Sequence, residues 1–160
     1  EYAVAITVFK ENVKNHPESA NTYDSLAEAL QKSGDKEGAI KNYKKSLDLF
    51  PGNSNAIAQL EKMGASYTAS FTLSEKEMEA YVGKYQVAPG VVLTVTKDGN
   101  RLFGQPTGDS KKEMFAVAAD EFVVDDAPLK AHFTRDDQSK VAGIKVYISG
   151  ELRMQGEKLE

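Results

Sequence analysis

Several stretches of this chain carry side chains capable of chemistry. "SGDK", Ser33 to Lys36, has the S-x-x-K spacing, which serves covalent acyl transfer when a lysine is held against a nucleophilic serine. "GQPTGDSKK", Gly104 to Lys112, holds the glycines, hydroxyls and lysines that can cradle a phosphate. The acidic pairs Asp125-Asp126 and Asp136-Asp137 offer carboxylates to calcium. His16 and His132 are the two histidines, and there is no cysteine. The lack of cysteine removes disulfides, thiol nucleophiles and Cys-based zinc sites together.

Each of these signals lacks its companions. An activated serine needs a base and oxyanion donors. No K-T-G, S-D-N or G-x-S-x-G occurs in the chain. Ser33 and Lys36 straddle Gly34 and Asp35, which read as the loop of a helical hairpin. We therefore expect a turn there and assign no catalytic residue. The Gly104–Lys112 stretch departs from G-x-x-x-x-G-K-[ST] and reads as a surface hairpin loop. The acidic pairs do not fit D-x-[DN]-x-[DN]-G, and carboxylates in turns bond their own backbone. Two histidines fall short of the three or more ligands of a metal site. His16 precedes Pro17 at a helix end, and His132 alternates with Ala131 and Phe133, so it should face away from the core. The expectation is no metal and no cofactor.

The elements that position these residues fall into two kinds. In the first half Pro17 and Pro51 stand 34 residues apart. At that offset Ala5 matches Ala39, Phe9 matches Tyr43, Val13 matches Leu47, Tyr23 matches Ile57 and Leu26 matches Leu60. Tyr23, Leu26, Ala27 and Leu30 form one apolar stripe at helical spacing, as do Ile40, Tyr43 and Leu47. Gly34 suits a helix end, Asp35 a helix start, and Pro51 stops the helix before it. The pattern predicts helices over 2–15, 20–33, 36–49 and 54–63.

A 34-residue helix–turn–helix period is that of the tetratricopeptide repeat. The unit Ala20 to Asn53 resembles that family through Tyr23, Leu26, Ala27, Leu30, Gly34, Ala39, Tyr43 and Pro51. Ala27 and Ser46 depart from its pattern, but both are small and keep close packing open. The resemblance implies antiparallel helical hairpins whose inner face takes a protein or peptide partner. Here that face would be Asn21, Asp24, Glu28 and Gln31, with Asn55 and Gln59. Two acidic groups and no lysine among them argue against the family's carboxylate clamp. The same positions equally suit a solvated helix face. The first helix reads as a second helix without its first, with Val4, Ile6, Phe9 and Val13 on its apolar face. Repeats bury that face by stacking. An upstream element, or another copy in a homodimer through residues 2–13, should cover it.

After Gly64 the pattern changes. "GASYTASFT", Gly64 to Thr72, reads as a linker. Ser74 and Glu77 form a capping box for a short helix reaching about Val82, ended by Gly83. Short alternating strands follow at roughly ten-residue spacing, with turns at Asp98-Gly99-Asn100, Asp125–Pro128 and Asp136–Ser139. Expected inward residues are Tyr85, Leu93, Val95, Leu102, Phe115, Phe122, Phe133, Ile144, Val146 and Leu152. The fold class is α+β. We expect a helical domain over 1–66 and, over 67–160, a small antiparallel β-barrel with a short leading helix, resembling a shortened lipocalin.

"MEAYVGKYQV" (Met78 to Val87), "LTVTKDGNRLFGQPTG" (Leu93 to Gly108) and "EFVVDD…AHFTRDDQSKVAGIKV" (Glu121 to Val146) resemble a small β domain. That domain stands at the C-terminus of penicillin-binding-protein-like, β-lactamase-related bacterial serine hydrolases, some with tetratricopeptide repeats before it. The resemblance implies a periplasmic or extracytoplasmic setting. The hydrolase domain is missing from this chain, so its activity passes to no residue here. A start at Glu1, without a signal peptide, reads as an excised or processed piece of a longer protein.

The net charge is −4, with 8 basic and 9 acidic residues up to Ser70 and 12 and 15 beyond. Neither half is basic, so nucleic acid is not an expected partner. No apolar run approaches the ~18 residues of a membrane span. The expected function is a non-catalytic protein-interaction or accessory module, the C-terminal part of a β-lactamase-related serine hydrolase. The alternative is a small hydrophobic ligand held by Tyr85, Phe103, Phe115, Phe122 and Phe133. Plain core packing by those rings competes with it, because small barrels are filled by side chains.

Overall fold

A computed structural model describes residues 2–124 and 129–159. The chain divides into two compact units, residues 1–70 and 71–160.

The first unit has four helices: α1 (Tyr2–Asn15), α2 (Ala20–Ser33), α3 (Lys36–Leu49) and α4 (Ser54–Lys62). Their ends follow from local chemistry. Gly34 takes the left-handed conformation (φ +92°), and its N–H reaches the last turn of α2. Asp35 accepts from the Gly38 N–H at 2.9 Å and starts α3. Phe50, before Pro51, is extended and ends α3. Asn53 accepts from the Ala56 N–H at 3.1 Å and starts α4. The observed spans match the 34-residue pattern, with α4 one residue shorter than predicted.

The apolar stripes meet in one core of Leu26, Ala27, Leu30, Ala39, Tyr43, Leu47, Ala56 and Leu60. Ala27, Ala39 and Ala56 have no exposed surface. Any larger side chain there would push the helices apart. Ile6, Phe9 and Val13 pack on this core from α1. None of the described residues of α1 is itself buried. Val4, expected on the packed face, is 71% exposed, and Tyr2 and Val8 are exposed beside it. The 3.6-residue period carries Ile6, Phe9 and Val13 onto α2 and turns Val4 and Val8 outward.

The second unit opens with α5 (Glu75–Met78) and a 3₁₀ turn (Glu79–Tyr81). Ser74 and Glu77 cap α5 reciprocally, as the S-x-x-E spacing predicts. Eight strands follow: β1 (Gly83–Ala88), β2 (Val91–Asp98), β3 (Arg101–Pro106), β4 (Lys112–Ala118), β5 (Glu121–Val124), β6 (Leu129–Arg135), β7 (Val141–Ile148) and β8 (Glu151–Lys158). Each pairs antiparallel with the next, and β8 returns to β1, closing a barrel. Tyr85 lies opposite Lys158 at this seam, and the Leu159 N–H donates to the Lys84 carbonyl at 2.7 Å. Gly156 permits the approach, since a Cβ there would overlap the Gln86 carbonyl.

Tyr85, Leu93, Val95, Leu102, Phe122, Phe133, Ile144 and Val146 face the barrel core as predicted. Phe115 and Leu152 do not. On β4, Met114 lies opposite Leu102 and Val124, both core residues, so alternation puts Phe115 on the other face. On β8 the register skips a residue between Leu152 and Met154. That bulge breaks the two-residue period. Met154 packs on the core, and Leu152 is 48% exposed.

Candidate functional site

One end of the barrel is filled by rings. Tyr81, from the 3₁₀ turn, sits 4.9 Å from the rings of both Phe122 and Phe133. Tyr85 stacks edge-on to Phe133 at 5.4 Å. The Tyr85 hydroxyl donates to the Tyr81 carbonyl at 2.7 Å, and burial pushes its pKa up. The Tyr81 hydroxyl donates to Asp120 Oδ1 at 2.9 Å. Arg135 grips the same carboxylate, with Nε 2.8 Å from Oδ2 and Nη2 2.7 Å from Oδ1. These bonds, Arg135 above all, hold the Asp120 carboxyl below its ordinary value. Arg135 also donates to the Ser139 carbonyl at 2.7 Å. Every polar group in this cluster is engaged within the protein. The cluster locks the turn that closes the barrel.

The other end holds a cavity of about 110 Å³. Val87, Leu93, Met114, Val124, Leu129, Ala131, Val146 and Met154 form its apolar wall. Gly104 and Pro106 complete the β3 side, and Asp109 and Lys112 line the mouth. Asp109 is exposed, so the cavity reaches the surface beside the β3–β4 loop. Two inward positions carry almost no side chain: Gly104, between Leu93 and Met114, and Ala131 on β6. A Cβ at Gly104 would stand 3.1 Å from Met114 Sδ and 3.4 Å from Leu93 Cδ1, so those two side chains close over the glycine, while Ala131 lines the space on β6. One step deeper on the same strands stand Leu102 and Phe133, which fill the barrel.

The structure brings together only three of the five rings expected to form a ligand cup. Tyr85, Phe122 and Phe133 sit in the filled end and leave no room among them. Phe103 lies elsewhere, with Lys111 Nζ 4.3 Å and Arg101 Cζ 5.0 Å from its ring centre. Phe115 is on the face opposite Met114. The cavity uses none of the five. Leu93 and Val146, both expected inward, line the cavity, and the Gly104–Lys112 stretch, expected as a surface hairpin loop, supplies four more of its lining residues. The available signal was a glycine and an alanine at inward strand positions, which shows only once the register is known.

On the helical unit the six expected partner residues divide. Asn55 donates to Asp24 Oδ2 at 3.0 Å, and Asn53 to Asp24 Oδ1 at 2.9 Å. Gln31 donates to Gln59 at 3.2 Å and accepts from the buried Tyr43 hydroxyl at 2.9 Å. Burial raises the Tyr43 pKa to about 12. Asp24, Gln31, Asn55 and Gln59 thus tie α2 to α4. Glu28 pairs with Lys32 at 2.6 Å, one turn along α2. Asn21 is exposed.

The chemically suggestive residues sit in structural roles. Ser33 Oγ donates to the Leu30 carbonyl at 2.8 Å, within its own helix end, and Asp35 caps the next helix. Asp136 accepts from the Gln138 and Lys140 N–H groups, each at 2.9 Å, as a turn carboxylate does. Asp125-Asp126 lies outside the described residues. His132 is half-exposed, 3.7 Å from Glu121, and the His16 carbonyl accepts from Thr22. No cluster of three or more potential metal ligands occurs among the described residues. No helix among them is long and apolar enough to cross a membrane.

No curated protein matches the chain. Residues 69–160, which span the barrel and its leading helix, match the family described as Domain of unknown function (DUF3471), and the chain belongs to that family.

Proposed function

We propose that this chain is a non-catalytic interaction and accessory module within a longer, β-lactamase-related serine hydrolase. In this reading the helical hairpins are tetratricopeptide-like and scaffold a neighbouring domain or partner. The barrel, lipocalin-like in its meander, is the accessory part. The observation that carries the reading is α1. It is a full helix with no buried residue among those described, and it leaves Tyr2, Val4 and Val8 exposed in a unit whose other helices are packed. Stacked helical repeats cover such a face with the preceding element. The internal bonding of Ser33 supports the non-catalytic half of the proposal.

The test compares this chain with the chain extended upstream through a hydrolase domain. Hydrogen exchange of the α1 amides should slow by about tenfold or more in the longer protein. Unchanged exchange there overturns the scaffold role. A fluorophosphonate probe should leave Ser33 unlabelled, and labelling would overturn the non-catalytic reading.

A second reading rests on the cavity. A barrel packed with aromatic rings at one end and holding an apolar cavity at the other supports a small apolar ligand as that second reading. This reading concerns the β domain alone and stands beside the first.

A further inference from the structure

We propose that the barrel cavity binds the end of a short unbranched alkyl chain; this deepens the ligand-binding reading and rests on it. The wall is aliphatic and thioether throughout: Val87, Leu93, Met114, Val124, Leu129 and Met154 among others. The buried rings that stack on one another, Tyr81, Tyr85, Phe122 and Phe133, all lie outside the wall. Nothing in the cavity stacks on a flat ring. No buried side-chain nitrogen or oxygen lacks a partner among the described residues, so the interior asks for no hydrogen bond. A polar group carried inside would lose its water without replacement. The part of the ligand that enters is therefore hydrocarbon.

Size narrows the class. A cavity of about 110 Å³ is well below the ~300 Å³ at which pockets for drug-sized molecules begin. An apolar cavity of about 150 Å³ takes one benzene, so this one takes roughly four or five carbons. Met114 and Met154 are unbranched and flexible, and can re-form around a chain in several conformations. Asp109 stands exposed at the mouth, so the polar remainder of the ligand emerges into water.

The four methionines make the test direct. Met114 and Met154 line the cavity, Met78 packs in the barrel core outside the cavity wall, and Met63 belongs to the helical unit. The whole chain, labelled at the methionine methyl carbons, is titrated with 1-pentanol and with phenol, which partition similarly from water. 1-Pentanol should shift the Met114 and Met154 signals saturably, leave Met63 and Met78 in place, and bind more tightly than phenol. Ala131→Leu should fill the space and weaken 1-pentanol by about tenfold or more, the loss of roughly two buried methylenes. It should leave the Tm equal or higher. If that variant does not fold, Gly104→Ala, whose Cβ would stand 3.1 Å from Met114 Sδ and press that side chain into the space it lines, should weaken binding in the same direction. Tighter binding of phenol overturns the alkyl class and leaves the ligand-binding reading standing. No saturable shift of Met114 and Met154 with either probe, or equal drift of all four methyls, overturns both.

Discussion

The Tyr81 hydroxyl reaches Asp120 across 39 residues of chain, at 2.9 Å. One partner sits on the 3₁₀ turn that enters the barrel, the other in the turn between β4 and β5. Arg135, at the end of β6, holds the same carboxylate. Asp120 itself takes a left-handed backbone (φ +62°), which few residue types adopt without strain. Three separate elements thus meet on one carboxylate with 19% of its side chain exposed.

This arrangement makes the barrel acid-sensitive. The carboxyl of Asp120 titrates below the ordinary aspartate value of 3.8 in the folded chain. Its contribution to stability is therefore fully present above 3.8 and lost as pH falls through the lower, folded value. Asp120→Asn keeps a residue that tolerates the left-handed backbone and removes the charge. At neutral pH it should cost about 1–3 kcal/mol. The Tm gap between the two proteins, followed by circular dichroism over an acid titration, should shrink as pH falls below the ordinary aspartate value of 3.8. A gap that stays constant over that range would rule out the ion pair as its source.

The barrel seam depends on a missing side chain. Gly156 on β8 lies where a Cβ would overlap the Gln86 carbonyl of β1. Backbone cannot give way there without parting the two strands, which pair at Tyr85–Lys158 and Gln86–Glu157. Gly156→Ala should cost about 3 kcal/mol or more, the size reserved for overpacking against fixed backbone. Gly90→Ala is the control, since open space surrounds that position. The strain of its left-handed φ of +75° is then the whole cost, about 1–2 kcal/mol. Urea denaturation followed by near-ultraviolet circular dichroism separates the two, and an equal loss would show that the seam is not the weak point.

The helices were readable because their signals are local. Gly34, Asp35 and Pro51 act within a turn of where they stand, and the 34-residue offset pairs Ala5 with Ala39 and Leu26 with Leu60. The capping box at Ser74 and Glu77 is equally local. The barrel was readable as strands, and its faces were readable except at Phe115 and Leu152. Phe115 and Met114 are neighbours, and both are apolar. Only pairing with Leu102 and Val124 says which points inward. Leu152 obeys the period until a bulge shifts it. The cavity is further removed, because its lining comes from all eight strands and shows only once their register is known. The rings expected to form a cup do not line the open space: Phe122 and Phe133 fill the core, and the cavity lies among aliphatic residues.

The polar face of the helical unit can be separated into what holds helices and what remains for a partner. Asp24 accepts from Asn53 and Asn55, and Asn53 also donates to the buried Ser46 hydroxyl at 2.8 Å. The backbone cap of α4 uses the other end of the Asn53 amide, so it survives the loss of Asp24. Asp24→Ala should therefore loosen α4 without unfolding it. The expected cost is about 1 kcal/mol, because, of the two donors lost, Asn53 at a half-buried site and Asn55 at an exposed one, water screens the second. Hydrogen exchange of the α4 amides should speed up by about fivefold. Asn21→Ala, at an exposed position on the same helix, should stay within about 0.5 kcal/mol and leave that exchange unchanged. A partner that binds this face would then be weakened by Asn21→Ala with no change in α4, a signature that Asp24→Ala cannot produce. If Asp24→Ala leaves α4 exchange untouched, the carboxylate is not holding the helices and belongs with the free surface.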